Sequence, residues 1–228
     1  MPAPISIIVP TLNAQDTLPG LLADLVAGLD TGLIRELIVA DGGSQDDTPA
    51  IAEEVGARFV SAPKGRGTQL AAGADQATGD WFLVLHADSR LSENWPLAVA
   101  DHISTCREAA HFRLAFDSRH PMARITAGWA NLRARRLGLP YGDQGLLLPS
   151  GLYTRVGGYD LIPLMEDVAM ARKLRGSVQL PATITTSPTR YAARGWLRQG
   201  SANLVTLTRY LLGADPAKLA DSYRKSGG

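Results

Sequence analysis

The sequence predicts an α/β fold: a Rossmann-like, mostly parallel central sheet with helices on both faces, followed by a C-terminal helical region. Three observations predict it. Short β-branched runs alternate with segments of helical period through the first 85 residues. Most of these runs stop at a Pro, Gly or Asp signal. With 45% hydrophobic and 20% charged residues, a chain of 228 can bury a sizeable core.

Residues 5–9 form a β-branched run stopped by Pro10, which reads as a buried strand. Residues 15–27 read as a helix, with Leu18, Leu21, Leu22 and Leu25 at helical spacing and Asp16 or Thr17 placed to cap it. Residues 36–40 are a second strand, ended by Asp41-Gly42-Gly43. Asp47-Thr48-Pro49 supplies a cap and a proline at the first helical position, opening a helix to residue 55. A strand at 58–60, a helix over 68–77 closed by Gly79 and a strand at 81–85 complete the alternation. Beyond residue 104 the order weakens. Residues 111–116 alternate like a strand, 122–137 have helical spacing, 146–148 make a short strand and 165–174 look helical. In the tail, 196–212, Leu197, Leu204, Leu207 and Leu211 recur at helical spacing, a stripe that reads as core, with membrane contact as the alternative.

The length fits one domain over residues 1–228, with halves at 1–105 and 106–228. Its 23 Lys plus Arg against 22 Asp plus Glu argue against nucleic-acid binding by bulk charge. The balance hides an asymmetry: 5 basic and 14 acidic residues up to Cys106, then 18 and 8, a formal −9 facing +10. Either the halves attract each other, or the second half faces something anionic, such as a phosphate-bearing substrate or a membrane surface. The single Cys106 excludes an intramolecular disulfide and no zinc spacing occurs, which fits a reducing cytoplasm. Met1-Pro2-Ala3-Pro4 has no basic start or long apolar stretch, and no run approaches 18 apolar residues. A cytoplasmic protein is expected, with peripheral contact at the inner membrane face as its one membrane option.

In a parallel α/β sheet the ligand sits beyond the carboxyl ends of the strands. After the first strand comes Thr11-Leu12-Asn13, with no glycine-rich turn, and Gly65-Arg66-Gly67 lacks a third glycine, so nicotinamide hydride transfer and P-loop phosphotransfer lose their support. Asp41 stands where its carboxylate could accept hydrogen bonds from a base N–H or ribose hydroxyls, although glycine turns and helix caps explain much of 41–48. Asp88, in His86-Ala87-Asp88, could cap a helix or give a hard oxygen to a divalent cation, Mg²⁺ or Mn²⁺, that also holds a diphosphate. Glu166-Asp167 opens a helix, where acids suit the dipole or serve as a general base.

Taken in order, residues 6–13, 39–44, 79–88, Gly157-Gly158-Tyr159 and Glu166-Asp167 closely resemble family 2 glycosyltransferases of the GT-A fold, over most of the chain. Within that family, residues 65–70, 85–88, 142–145 and 163–167 resemble the small bacterial transferases associated with radical-SAM and selenodomain clusters, some linked to arsenosugar formation. The resemblance implies an inverting transfer from a nucleoside-diphosphate sugar, of the UDP-linked type, to an acceptor hydroxyl. It makes 1–105 the nucleotide-binding half and 106–228 the acceptor half with its C-terminal helices. Pro10, Thr11, Asn13, Asp41, Gly65, Arg66, Gln69, His86, Ala87 and Asp88 would then surround the nucleotide, and Asp143 and Gln144 the acceptor. Asp88 would be the surviving acid of a DxD-like metal motif, with His86 where aspartate is usual. Asp167 would be the general base, supported by Glu166.

Arg119, Arg124, Arg133, Arg135 and Arg136 cluster around the 122–137 helix, either as a solvated helix end or as a site for an anionic acceptor or lipid headgroup. Two rival functions are weighed. A sugar nucleotidyltransferase needs a glycine-rich basic loop after the first strand, and Pro10-Thr11-Leu12-Asn13-Ala14 has no Gly, Lys or Arg. A non-catalytic nucleotide-sugar binder has no need of a base such as Asp167.

Overall fold

Ile5, Ile7 and Val9 face one side of the first strand and Ile8 the other, and this alternation sets the layers of the fold. The computed structural model describes residues 3–227. In it β1 (Ile5–Thr11), β2 (Ile34–Asp41), β3 (Arg58–Ser61) and β4 (Trp81–Val84) pair in parallel, joined by α1 (Leu18–Asp30), α2 (Thr48–Glu54) and α3 (Arg66–Gln76). On one face Leu18, Leu21 and Leu25 of α1 meet Trp95 and Val99 of α4 (Trp95–Thr105). On the other, Leu70 and Ala74 of α3 cover Ile8 and Ile38. Helices therefore lie on both faces, as expected.

The sheet is mixed. Its order is β3-β2-β1-β4-β7-β6-β8-β5. β7 (Leu146–Pro149) runs antiparallel to both β4 and β6 (Ala110–Phe116), and the two-residue β5 (Arg90–Leu91) runs antiparallel to β8 (Val178–Thr186). β6 and β8 are parallel. Among the described residues, β7 and β5 are thus the reversed strands. Reversal of β7 brings its amino end, with the short 3-10 turn Gly142–Gln144, to the edge where β1, β2, β4, β6 and β8 end.

One expectation about a strand is corrected. Pro10 does not stop β1, which continues to Thr11. Ile8 O accepts from Leu85 N on the β4 side, and Thr11 O accepts from Gly42 on the β2 side. By alternation the nitrogen of Pro10 faces the β4 side, beyond the last β4 partner of β1, where no ladder donor is needed. β8 contains Pro181, a residue that argues against a strand. The β6–β8 register slips there, Gln179 facing His111 and Thr183 facing Arg113, so Pro181 sits in a bulge.

The remainder is helical: α5 (Pro121–Leu137), α6 (Ser150–Arg155), α7 (Glu166–Leu174), α8 (Thr189–Arg194), α9 (Trp196–Leu211) and α10 (Pro216–Gly227). On α9, Leu207 alone of the four expected core leucines is buried. On α5, Arg133 leaves the arginine cluster, being 6% exposed, with Nε donating to Leu139 O and its guanidinium 3.3 Å over the Tyr141 ring.

Candidate active site

The loops after β1 and β2 are tied to one another before anything binds. Asp41 Oδ1 accepts from Thr11 Oγ1 (2.8 Å) and Ser44 Oγ (2.5 Å), and its Oδ2 accepts from the backbone N–H of Gly43 and Ser44. Burial raises the pKa of Asp41, but these hydrogen bonds outweigh it and hold the carboxyl below its usual range. Asn13, in the left-handed region at φ 50, accepts from Gln45 N, while its own N–H donates to Ser44 Oγ. Gln69 of α3, 4% exposed, donates through Nε2 to Thr11 O (2.6 Å) and Ala40 O (2.9 Å). Three strand and helix ends are thereby pinned around one opening.

That opening is a cleft of about 430 Å³, within the size range of small-molecule sites. Pro10, Thr11, Asn13, Gly65, Arg66, Gln69, His86, Ala87 and Asp88 all line it. Asp41 does not. It is 3% exposed and its carboxylate is engaged by its own loop, so it shapes the wall from behind. Lys64, Pro163, Leu164 and Ala220 also line it and were not singled out as donor-side residues from the sequence. Lys64 stands two residues before Arg66, a signal that was available; Ala220 arrives from α10, which no local pattern connects to this edge.

A second, smaller cavity of about 20 Å³ adjoins the cleft and shares His86 with it. Tyr141, Gly142, Glu166 and Asp167 are among its walls. Met165, at φ 69, re-aims the chain so that Glu166 and Asp167 fall in the first turn of α7. Asp167 Oδ2 accepts from Gly142 N (2.7 Å) and Oδ1 from its neighbour Val168 N (2.7 Å). A Cβ on Gly142 would stand 2.6 Å from His86 Nε2 and 3.5 Å from Asp167 Oδ2, so imidazole and carboxylate meet over this glycine.

Glu166 is 2% exposed and faces Arg66 Nη1 at 3.7 Å. Burial, then the neighbouring Asp167, push its carboxyl up to about 7 against the pull of Arg66, whose half-exposed guanidinium is screened by water. A carboxyl with a folded pKa above its unfolded 4.5 binds a proton on folding, so its contribution to stability falls as pH rises between those values. Glu166→Gln is therefore expected to exceed the wild type in stability by on the order of 1–3 kcal/mol at about pH 8 and to match it near pH 4. Urea unfolding at both values checks this; a gain of equal size at both would remove the assignment.

Of the two acceptor-side residues, Asp143 is half-buried, and its Oδ1 is sealed from solvent with no hydrogen-bond partner among the described residues. Burial raises its carboxyl to about 6; Arg133 opposes this and Asp167 adds to it. Gln144 is fully buried and its amide is engaged by Phe112, Asn131, Arg133 and Tyr141, so it supports the 3-10 turn from beneath and presents nothing to the cavity. Asp88 accepts from Thr186 Oγ1 (3.3 Å), at the end of β8.

Among the described residues no group of three or more His, Cys, Asp or Glu side chains is arranged to hold a metal ion. The donor set does not fit a resident all-protein site. It fits a cation carried in with a diphosphate, which needs Asp88, with His86 nearby, and takes its other oxygens from phosphate and water.

The family model described as "Glycosyl transferase family 2" matches residues 6–153. Glucosyl-3-phosphoglycerate synthase of Mycolicibacterium paratuberculosis is 36% identical over 104 residues, covering 42% of this chain and 31% of that protein. A PGL/p-HBAD biosynthesis glycosyltransferase of Mycobacterium bovis is 41% identical over 106 residues, covering 43% and 41%. The match thus spans less than half the length of these relatives. Among solved structures, S. aureus TarS 1-349 in complex with UDP-GlcNAc superposes with a TM-score of 0.60 at 15% identity, over 81% of this chain and 58% of that one. Glucosyl-3-phosphoglycerate synthase from Mycobacterium tuberculosis, in complex with Mn²⁺, UDP and glucosyl-3-phosphoglycerate, does so with 0.56 at 23% identity, over 89% and 79%. These likenesses show a shared, GT-A-like α/β fold.

Proposed function

The chain belongs to glycosyl transferase family 2, and on that premise we propose that it is an inverting, metal-assisted hexosyltransferase that moves a sugar from a UDP-sugar to an acceptor hydroxyl. One observation carries the reading: a cleft of nucleotide size and the small cavity walled by the carboxylate of Asp167 share His86 between them. The UDP and Mn²⁺ in the similar structure of Mycobacterium tuberculosis glucosyl-3-phosphoglycerate synthase support the donor class. Residues 65–70, 85–88, 142–145 and 163–167 all contribute to the walls of these two connected cavities, which supports placing the chain with the small radical-SAM- and selenodomain-associated transferases.

In the proposed reaction Asp167 takes the proton of the acceptor hydroxyl, whose oxygen attacks the anomeric carbon while the nucleoside diphosphate leaves from the opposite face. The Gly142 N–H holds one oxygen of Asp167, which fixes the direction of the base. Arg66, between the cleft and Glu166, is placed to stabilise the negative charge that grows on the diphosphate. A divalent cation at Asp88 would supply further neutralisation of that leaving group.

Thermal shift with nucleoside diphosphates tests the donor side. UDP at about 100 times its Kd, with Mn²⁺, is expected to add about 2.7 kcal/mol and raise Tm by roughly 5–10 °C. Asp88→Ala should lose the Mn²⁺-dependent part of that rise. No shift with any nucleoside diphosphate would overturn the reading.

A further inference from the structure

The leucine stripe expected to enter the core lies mostly outside it. On α9 and at its C-cap, Leu197, Leu204, Val205, Leu211 and Leu212 are 44–83% exposed, whereas Gln199 and Leu207 turn inward. At about 100° per residue the five exposed residues share an arc of about 120°. Arg198 and Arg209, both exposed, fall along one edge of that arc. α5 repeats the pattern: Ile125, Trp129 and Leu132 are exposed at i, i+4 and i+7, opposite buried Ala123, Ala127, Ala130 and Ala134. Arg124 and Arg135 border this second stripe and are exposed. The two helices pack on each other, and His120, the cap of α5, stacks on Trp196 at the start of α9 with centroids 5.8 Å apart.

Charge identifies what these faces meet. Residues 118–142 contain no acid, and none occurs between Asp167 and Asp215. A two-fold contact with a second copy would set arginine against arginine. An anionic bilayer complements the same surface, since an apolar stripe with a basic rim is the pattern of a helix lying in the headgroup boundary. We propose that the exposed faces of α5 and α9 dock this protein on an anionic phospholipid membrane, the leucines and Trp129 entering the interface and the arginines pairing with lipid phosphates. This assignment stands on exposure and charge alone, and is independent of the transfer chemistry.

Co-sedimentation with phosphatidylcholine vesicles, with and without about 30% phosphatidylglycerol, tests it. The protein is expected to pellet with the anionic vesicles and to show a blue shift of tryptophan emission that Trp129→Phe reduces, since Trp81 and Trp95 are buried and Trp196, at the start of α9, is half-buried. Leu204→Glu with Val205→Glu, and separately Arg198→Glu with Arg209→Glu, should each weaken binding at least about tenfold. Both pairs are exposed, so Tm should hold. Wild-type protein remaining in the supernatant with both vesicle types would overturn the proposal. So would binding that leaves the emission unchanged or survives both double variants.

Discussion

Asp167→Asn is expected to lose at least about a hundredfold in turnover while binding the donor nucleotide as the wild type does. The reason is local. Asparagine has nearly the shape of aspartate but a single acceptor oxygen, so it keeps the bond from Gly142 N or the one from Val168 N, not both, and the fold of α7 is held by its packing. What it lacks is an oxygen basic enough to take a proton. Binding and chemistry should therefore separate in this variant, because the cleft proposed for the nucleotide does not include residue 167 among its walls. Single-turnover rates with UDP-sugar, set beside UDP affinity from calorimetry, make the measurement. Unchanged turnover would remove Asp167 as the base, and a joint loss of turnover and nucleotide affinity would assign it to binding.

Gly67→Ala is expected to be among the most damaging single-methyl additions in the chain. A Cβ at residue 67 would stand 2.2 Å from Asp160 O and 2.7 Å from Ile162 O, both backbone atoms of the segment leading to Glu166. Backbone cannot rotate aside, so α3 and the 160–162 segment must separate. Overpacking of this kind costs about 1–3 kcal/mol and often more, which for a domain of this size corresponds to a Tm loss of roughly 4–10 °C. Separation would also pull Arg66 from Glu166, so donor affinity should fall with stability. Gly151→Ala is the control: its Cβ meets nothing within 4 Å, and it should melt as the wild type does. Equal melting of the two variants would contradict the packing described here.

The first 85 residues were legible because their order is written in local pattern: β-branched runs, helical leucines and turn residues agree about where each element starts and stops. That the residues lining the cleft would gather was legible for the same reason, since parallel strands place their trailing loops on one edge; their nucleotide role is an expectation from the family resemblance. Elements that depend on distant partners were not. β5 has two residues and exists through its pairing with β8, and β8 carries a proline that its bulge tolerates. The tail stripe misled because leucines at helical spacing mark an apolar face without saying what covers it. Gln144 and Asp41 stand in the right loops, yet their side chains turn to support those loops, a distinction that spacing does not encode.

The reversed strand β7 has a consequence for anyone wishing to build hybrids. Strand β4 of the first half is zipped along Trp81–Val84 to β7 of the second, and β5 of the first half crosses over to close the far side on β8. Two seams stitch the halves, one through the middle of the sheet and one at its rim. Grafting residues 106–228 of one relative onto residues 1–105 of another would need both seams to match, so exchanging a single loop such as 138–145 disturbs the sheet less than trading whole halves.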